Sequence, residues 1–197
     1  MTHVVTVCGS LSARSSNRAA LDVVTAALQA AGATIDDFDR LAEIPAFDPG
    51  REDEPIELIA DWRRRLAAAD AVVVAAPEYA GAVAGAIKNA FDWTVGGADV
   101  YRRPMAVLSA GTSGGPHARQ MMIQTLTWQG AHVVAEVGIA APRTKSDEDG
   151  RFTDAATLGE LSALADVVLA AVAAEDRVPL AVAVVTRFGI SPERVAG

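Results

Sequence analysis

The chain of 197 residues contains a single cysteine, Cys8, so no disulfide can form within it. Aromatic residues make up only 5% of it, so the core has to be built largely from Ala, Val and Leu. Positive charge is scarce: 17 Lys and Arg stand against 25 Asp and Glu, for a net charge of −8. That balance argues against sequence-independent nucleic-acid binding, which needs a basic face, and against docking on anionic lipid. It still permits a local anion pocket, because net charge says nothing about one site. No apolar run reaches the roughly 20 residues of a transmembrane helix; the longest, DAVVVAA and PLAVAVV, have strand length. The opening MTHVVTVCGS lacks the basic and apolar regions of a signal peptide. These absences predict a soluble, cytoplasmic protein with no membrane and no nucleic-acid partner. His3, His117 and His132 lie far apart without metal-ligand spacing, and Ser10 has no GxSxG context, so neither a metal site nor a hydrolase nucleophile is expected.

What is present alternates. Apolar, β-branched runs at 3–8, 33–38, 71–77, 104–111 and 131–137 read as strands. Segments 17–31, 56–69, 85–93, 114–130 and 154–175 carry apolar residues at helical spacing, and Gly32 stops the first of them. Strands without polar alternation are buried on both faces, as parallel strands are. The pattern predicts an α/β fold, a doubly wound five-stranded parallel sheet with helices on both faces. Residues 1–177 read as one domain. Residues 178–197 read as a C-terminal tail that extends a partner's sheet, packs on its own domain or stays loose. Cys8 reads as core, and Arg63, Arg64 and Arg65 as a solvated helix face. Trp93 and Trp128 fit either the core or a dimer seam.

Three strand-end loops stand out, and ligands of such sheets bind outside the carboxyl ends of the strands. The first is GSLSARSSN, 9–17. It opens a helix, whose N-terminus offers unpaired N–H groups and partial positive charge. Ser10, Ser12, Ser15, Ser16 and Asn17 add donors, and Arg14 adds a forked cation. A helix cap alone would need one of Ser15, Ser16 or Asn17; the whole set suits a phosphate. No GK[ST] and no GxGxxG is present, which disfavours an ATP or a Rossmann dinucleotide site here. The second loop is APEYAGAVAG, where Pro77, Glu78 and Tyr79 precede the small residues Ala80 and Gly81 and leave room for a flat ligand. The third is SAGTSGGPHA, in which Ser109, Gly111, Thr112, Ser113, Gly114 and Gly115 precede a helix and can form a second nest of N–H groups.

With these motifs in place, the chain resembles the NAD(P)H-dependent FMN reductases of flavodoxin-like fold, a group that includes quinone, azo-dye and chromate reductases. The family pattern GSLRxxSxN is answered by GSLSARSSN, and PEYNxxxPGxLKNAxDW by PEYAGAVAGAIKNAFDW. The serine–glycine loop with GG before a helix is answered by SAGTSGGPHA, and the DEDGRFTD turn also matches. The departures are specific: the family arginine falls at Ser12 with Arg14 two residues on, the asparagine after PEY is Ala80, the proline before glycine is Ala84, and His117 stands at the arginine of GGxRA. The resemblance implies the strand order 2-1-3-4-5 and FMN as cofactor. Its phosphate would be held by Ser10, Ser15 and Asn17, helped by Ser12, Arg14 and Ser16. The ring would lie across Pro77, Glu78, Tyr79, Ala80 and Gly81, with Ser109, Gly111 and Thr112 at its other edge. N–H groups around Ser113, Gly114 and Gly115 would stabilise negative charge on the reduced ring. No side chain is implied as a catalytic acid or base, since the flavin carries the chemistry. NADPH or NADH would reduce the flavin, and a small-molecule acceptor on the same face (a quinone, azo compound, metal oxyanion or free flavin) would take the electrons. The family also implies a homodimer or homotetramer. Two alternatives to this enzyme are a flavodoxin-like electron carrier and an FMN-free, non-catalytic relative.

Overall fold

A computed structural model describes residues 1–196 of the chain. Its centre is a parallel sheet of five strands: β1 (His3–Cys8), β2 (Thr34–Phe38), β3 (Ala71–Ala75), β6 (Pro104–Gly111) and β7 (His132–Ala140). Between β3 and β6 lies a short antiparallel hairpin, β4 (Glu78–Tyr79) and β5 (Ala82–Val83). The helices are α1 (Ser16–Ala30), α2 (Glu57–Ala68), α3 (Gly85–Asp92), α4 (Pro116–Trp128), α5 (Ala155–Ala173), α6 (Val178–Arg187) and α7 (Glu193–Ala196). The sheet order is β2-β1-β3-β6-β7. Counting only the sheet strands, this is 2-1-3-4-5, the flavodoxin-like order expected from the sequence.

The side-chain alternation of the strands builds two cores. Val5 and Val7 of β1 and Val72 and Val74 of β3 face one side, where Trp62, Leu66, Phe91 and Met122 of α2, α3 and α4 cover them. Val4, Cys8, Ala71, Val73 and Ala75 face the other, against Leu21, Val24 and Leu28 of α1 and Leu161, Leu164 and Val168 of α5. Every residue of β3 is buried, which is why the segment carries no polar alternation. In α1 the buried residues Ala20, Leu21, Val24 and Leu28 follow the helical repeat, so one stripe faces the sheet. The helix ends at Gly32, whose φ of +88° is open to glycine without strain.

Three features differ from the sequence reading, and a fourth, the C-terminal tail, takes one of the three courses left open for it. Residues 78–83 form a hairpin rather than a plain loop. Its two central residues, Ala80 and Gly81, have φ of 52° and 72°, the positive values of a type I′ turn. The tail is structured as α6 and α7. Ala181, Val184 and Val185 are buried in the same core as α2–α4, so this segment packs on its own sheet. Arg63, Arg64 and Arg65 are ion-paired rather than simply solvated: Arg63 to Asp99 at 2.8 Å, Arg64 to Asp61, and Arg65 to Asp61 and Asp36. Finally, α5 is long and apolar enough by length and composition to cross a membrane, with a mean hydropathy of 1.6, although one of its faces is laid on α1 and β7. Cys8 and Trp93 are core residues, whereas Trp128 is 60% exposed beneath the Arg194 guanidinium, 4.0 Å from its ring centre.

Candidate functional site

A cleft of about 610 Å³ opens beyond the carboxyl ends of β1, β6 and β7. It lies beside the point where the chain leaves β1 for one edge strand and returns through β3, the usual ligand position in such sheets. The 9–17 loop supplies most of one wall: Ser10, Ser12, Arg14, Ser15, Ser16 and Asn17. Tyr79 from the hairpin and Gly111 and Thr112 from the end of β6 line it as well. The fourth contribution is the segment after β7, Ala141–Thr144, which the sequence reading missed. The APRT stretch carries no glycine or serine cluster, so nothing local distinguished it from an ordinary connection. Its Arg143 lines the cleft together with Arg14, and both residues are exposed.

The first loop is organised by capping. Ser15 has extended backbone, and its Oγ accepts from Arg18 N at 3.3 Å, closing the first turn of α1. The N–H groups of Ser16 and Asn17 have no partner among the described residues, so they and the helix dipole point positive charge into the cleft. The Asn17 side chain plays another part. It is 6% exposed, its Nδ2 donates to Ala110 O at 2.9 Å, and its Oδ1 accepts from Ala110 N at 2.9 Å. This two-way bond ties the start of α1 to β6, so Asn17 offers its backbone, not its amide oxygen, to a ligand. Arg18 is not available either: it forks onto Asp37 with two contacts of 3.0 Å. Cys8 lies beneath the loop, where burial pushes its thiol pKa up and keeps it protonated, an inert core thiol.

The second and third loops divide into what reaches the surface and what supports it. Tyr79 is 59% exposed, and Ala80 and Gly81 are exposed beside it. Pro77 is buried, and Glu78 turns away: its Oε2 accepts from His117 N at 2.8 Å and Ala118 N at 3.1 Å. The residue at the N-cap of α4 is Gly115, which has no side chain to cap with, and Glu78 supplies the missing acceptor. The positive end of α4 is therefore already occupied. Ser109, Gly114 and Gly115 are likewise buried. Gly115 has φ of +60°, and a Cβ there would lie 2.0 Å from Ser109 Oγ, so only glycine fits. Ser109 Oγ is itself without a hydrogen-bond partner among the described residues. Gly114 N donates to Gly111 O at 3.1 Å, and Gly114 O accepts from Arg119 Nε at 3.1 Å. Arg119 also pairs with Glu136 on β7, so it braces this loop against the sheet. Of the third loop, Gly111 and Thr112 line the cleft, and Ser113 is exposed beside them.

A cleft lined by free N–H groups, two arginines and an exposed aromatic residue with small neighbours suits a flat ring carrying a phosphate. The residues present therefore fit FMN. Known proteins bear on that reading. The chain is 35% identical over 99 residues to an NAD(P)H-dependent FMN reductase of Pseudomonas aeruginosa, covering 47% of this chain and 54% of the relative. It is 30% identical over 88 residues to an NADPH azoreductase of a Bacillus species, covering 44% and 49%. The chain thus spans about half the length of the curated relatives it matches. Its fold is similar to that of a flavoenzyme NAD(P)H:(acceptor) oxidoreductase from Paracoccus denitrificans, with a TM-score of 0.70 and 22% identity over 86% of this chain and 98% of that one. The sequence model of the NADPH-dependent FMN reductases matches residues 2–145, a span that contains all three strand-end loops from GSLSARSSN to SAGTSGGPHA, and the chain belongs to that family.

Proposed function

We propose that the protein is an FMN-dependent NAD(P)H oxidoreductase. The observation that carries this is the single cleft in which the α1 N-terminus, Arg14 and Arg143 meet Tyr79 and Thr112. When bound, FMN supplies the two-electron acceptor for a hydride from the nicotinamide. The chain's own part is binding and orientation. Ser10, Ser12, Ser15 and Ser16, with the N–H groups of Ser16 and Asn17, hold the phosphate, and Arg14 and Arg143 neutralise it. Asn17 fixes the distance between that clasp and the β6 loop through Ala110. Tyr79, Ala80 and Gly81 form the floor for the ring, and Gly111, Thr112 and Ser113 its far edge. Pro77, Glu78, Ser109, Gly114 and Gly115 support these surfaces from below.

The relatives' names include both NADH-dependent and NADPH-dependent reductases, one of them an azoreductase, and this supports a nicotinamide donor and a small organic acceptor such as an azo compound, quinone or free flavin. A homodimer is supported by a groove in which the exposed apolar residues Val95, Met121 and Trp128 come together. A cytoplasmic location fits a chain whose one thiol is reduced and buried. Visible absorption tests the core of this reading. Protein mixed with FMN should show a bound-flavin spectrum that bleaches on adding NADPH or NADH. A protein that binds FMN but is not bleached would be an electron carrier, and one that binds no flavin would not be a flavoenzyme.

A further inference from the structure

The match to the family model ends at residue 145, so it assigns no part to α6 or to the residues after it. The structure connects the end of α6 to the cleft. Ala181, Val184 and Val185 anchor the helix in the core. Its last residue, Arg187, reaches Glu136 of β7, with Nη1 3.2 Å from Oε1. The next residue, Phe188, has its ring centre 5.7 Å from the Arg119 guanidinium, within the range of a cation–π contact. The Phe188 carbonyl oxygen accepts from Gln120 Nε2 at 3.1 Å. Two successive residues of α4 are thus tied to the end of α6.

Arg119 carries the connection onward. The Glu136 side chain is 9% exposed, and its second oxygen, Oε2, takes Arg119 Nη1, so one carboxylate joins the two arginines. Arg119 Nε donates to Gly114 O at 3.1 Å. Among the described residues this is the one side-chain hydrogen bond made to the loop 111–115. Three of the five residues in that loop are glycines, and Gly114 and Gly115 hold positive φ, so the loop's own backbone does little to keep it in this conformation. Gly138 makes room for the brace. A Cβ there would lie 2.5 Å from Arg119 Nη2 and 2.6 Å from Gly114 O, which accounts for a glycine inside β7. The braced loop in turn supplies Gly111 and Thr112 to the cleft.

We infer that Arg119 is a positioning residue for the flavin, through which the end of α6 holds the 111–115 loop in its binding conformation. This rests on the flavin reading above. The guanidinium serves three partners at once: Gly114 O through Nε, Glu136 through Nη1, and the Phe188 ring. Lysine in its place keeps the charge for Glu136 but loses the fork. Arg119→Ala would strand a buried carboxylate and test folding instead, so the informative variants are Arg119→Lys and Phe188→Ala.

Amide hydrogen exchange of the flavin-free protein and calorimetric titration with FMN test the inference together. A loop that holds its binding conformation only about a tenth of the time lowers FMN affinity about tenfold. In both variants the 111–115 amides should therefore lose nearly all protection, those of β3 should keep theirs, and FMN should bind about tenfold more weakly. Phe188→Tyr, which keeps the ring, should bind FMN as the native chain does. Unchanged loop exchange or unchanged FMN affinity in either variant, or a Phe188→Tyr chain as weak as Phe188→Ala, would overturn the inference and leave the flavin reading standing. Protection lost in β3 as well as in the loop would show a general loosening of the fold and overturn it too. A native chain that binds no FMN would remove the flavin reading, and the positioning role with it.

Discussion

Arg14 and Arg143 come from loops 129 positions apart yet line the same cleft. Only Arg14 is visible as a candidate in the sequence, because it sits inside the serine-rich GSLSARSSN motif. Arg143 follows a strand in a stretch with no pattern of its own. Each charge-assisted contact to phosphate contributes about 1.5 kcal/mol or more. The double variant Arg14→Ala/Arg143→Ala should therefore lower FMN affinity about 100-fold in calorimetry; unchanged affinity would remove both from the clasp. Ala80 is a residue-scale oddity of a different kind. It holds φ of 52° in a type I′ turn, a left-handed conformation that costs a residue with a Cβ about 1–2 kcal/mol. Asparagine tolerates this conformation better, and Asn-Gly is the favoured pair for this turn. Ala80→Asn should raise stability by about 0.5–1 kcal/mol in denaturant melts. A loss of stability would mean that the turn is not of this type in solution.

At the scale of elements, the hairpin β4–β5 and helix α4 depend on each other. Glu78 lies 39 residues before His117, and nothing in the sequence links them. Its carboxylate bonds two N–H groups of α4 and balances the positive end of the helix dipole. Glu78→Ala should therefore cost about 1–2 kcal/mol of stability, and Glu78→Gln, which keeps an acceptor, should cost less. Equal losses would show that the charge and not the hydrogen bonds matters. The same pairing explains why the reading of Glu78 as part of the flavin platform is incomplete. Tyr79 of the β3–α3 connection lines the cleft, while the Glu78 side chain faces the helix. Asn17 shows the same limit. Residue type and position in GSLSARSSN point to a phosphate loop, but its amide spans 93 positions to Ala110, a contact that only the packing of α1 on β6 creates.

For the whole molecule, the C-terminal helices belong to the core. Ala181, Val184 and Val185 are buried, and a buried valine contributes about 1.5–3 kcal/mol. A chain ending at Arg177 should lose about 3 kcal/mol or more, measured by denaturant unfolding against the full chain. No loss would show that α6 merely rests on the sheet. The same region sets a pH response. His132 is 4% exposed at the start of β7; burial first, then Arg102 and Arg177, holds its pKa below the ordinary value, opposed in smaller part by the Val195 backbone and by Asp176. The unfolded chain therefore binds a proton that the folded chain refuses. His132 leaves stability intact above about pH 6.5, and stability is lost as the pH falls below it. Between about pH 7.5 and 5.5 the melting temperature should fall further for the native chain than for His132→Gln; equal falls would clear His132.

The succession of the five sheet strands with the helices between them and the burial of β3 could be read from the chain alone, because periodicity is a local consequence of residue type. The partners of Asn17 and Glu78, the presence of Arg143 in the cleft wall, the type I′ turn and the burial of α6 could not. Each joins segments that are distant in sequence, or depends on backbone angles imposed by packing, and side chains of the same type serve a ligand or the scaffold according to which neighbour the fold brings within hydrogen-bond reach.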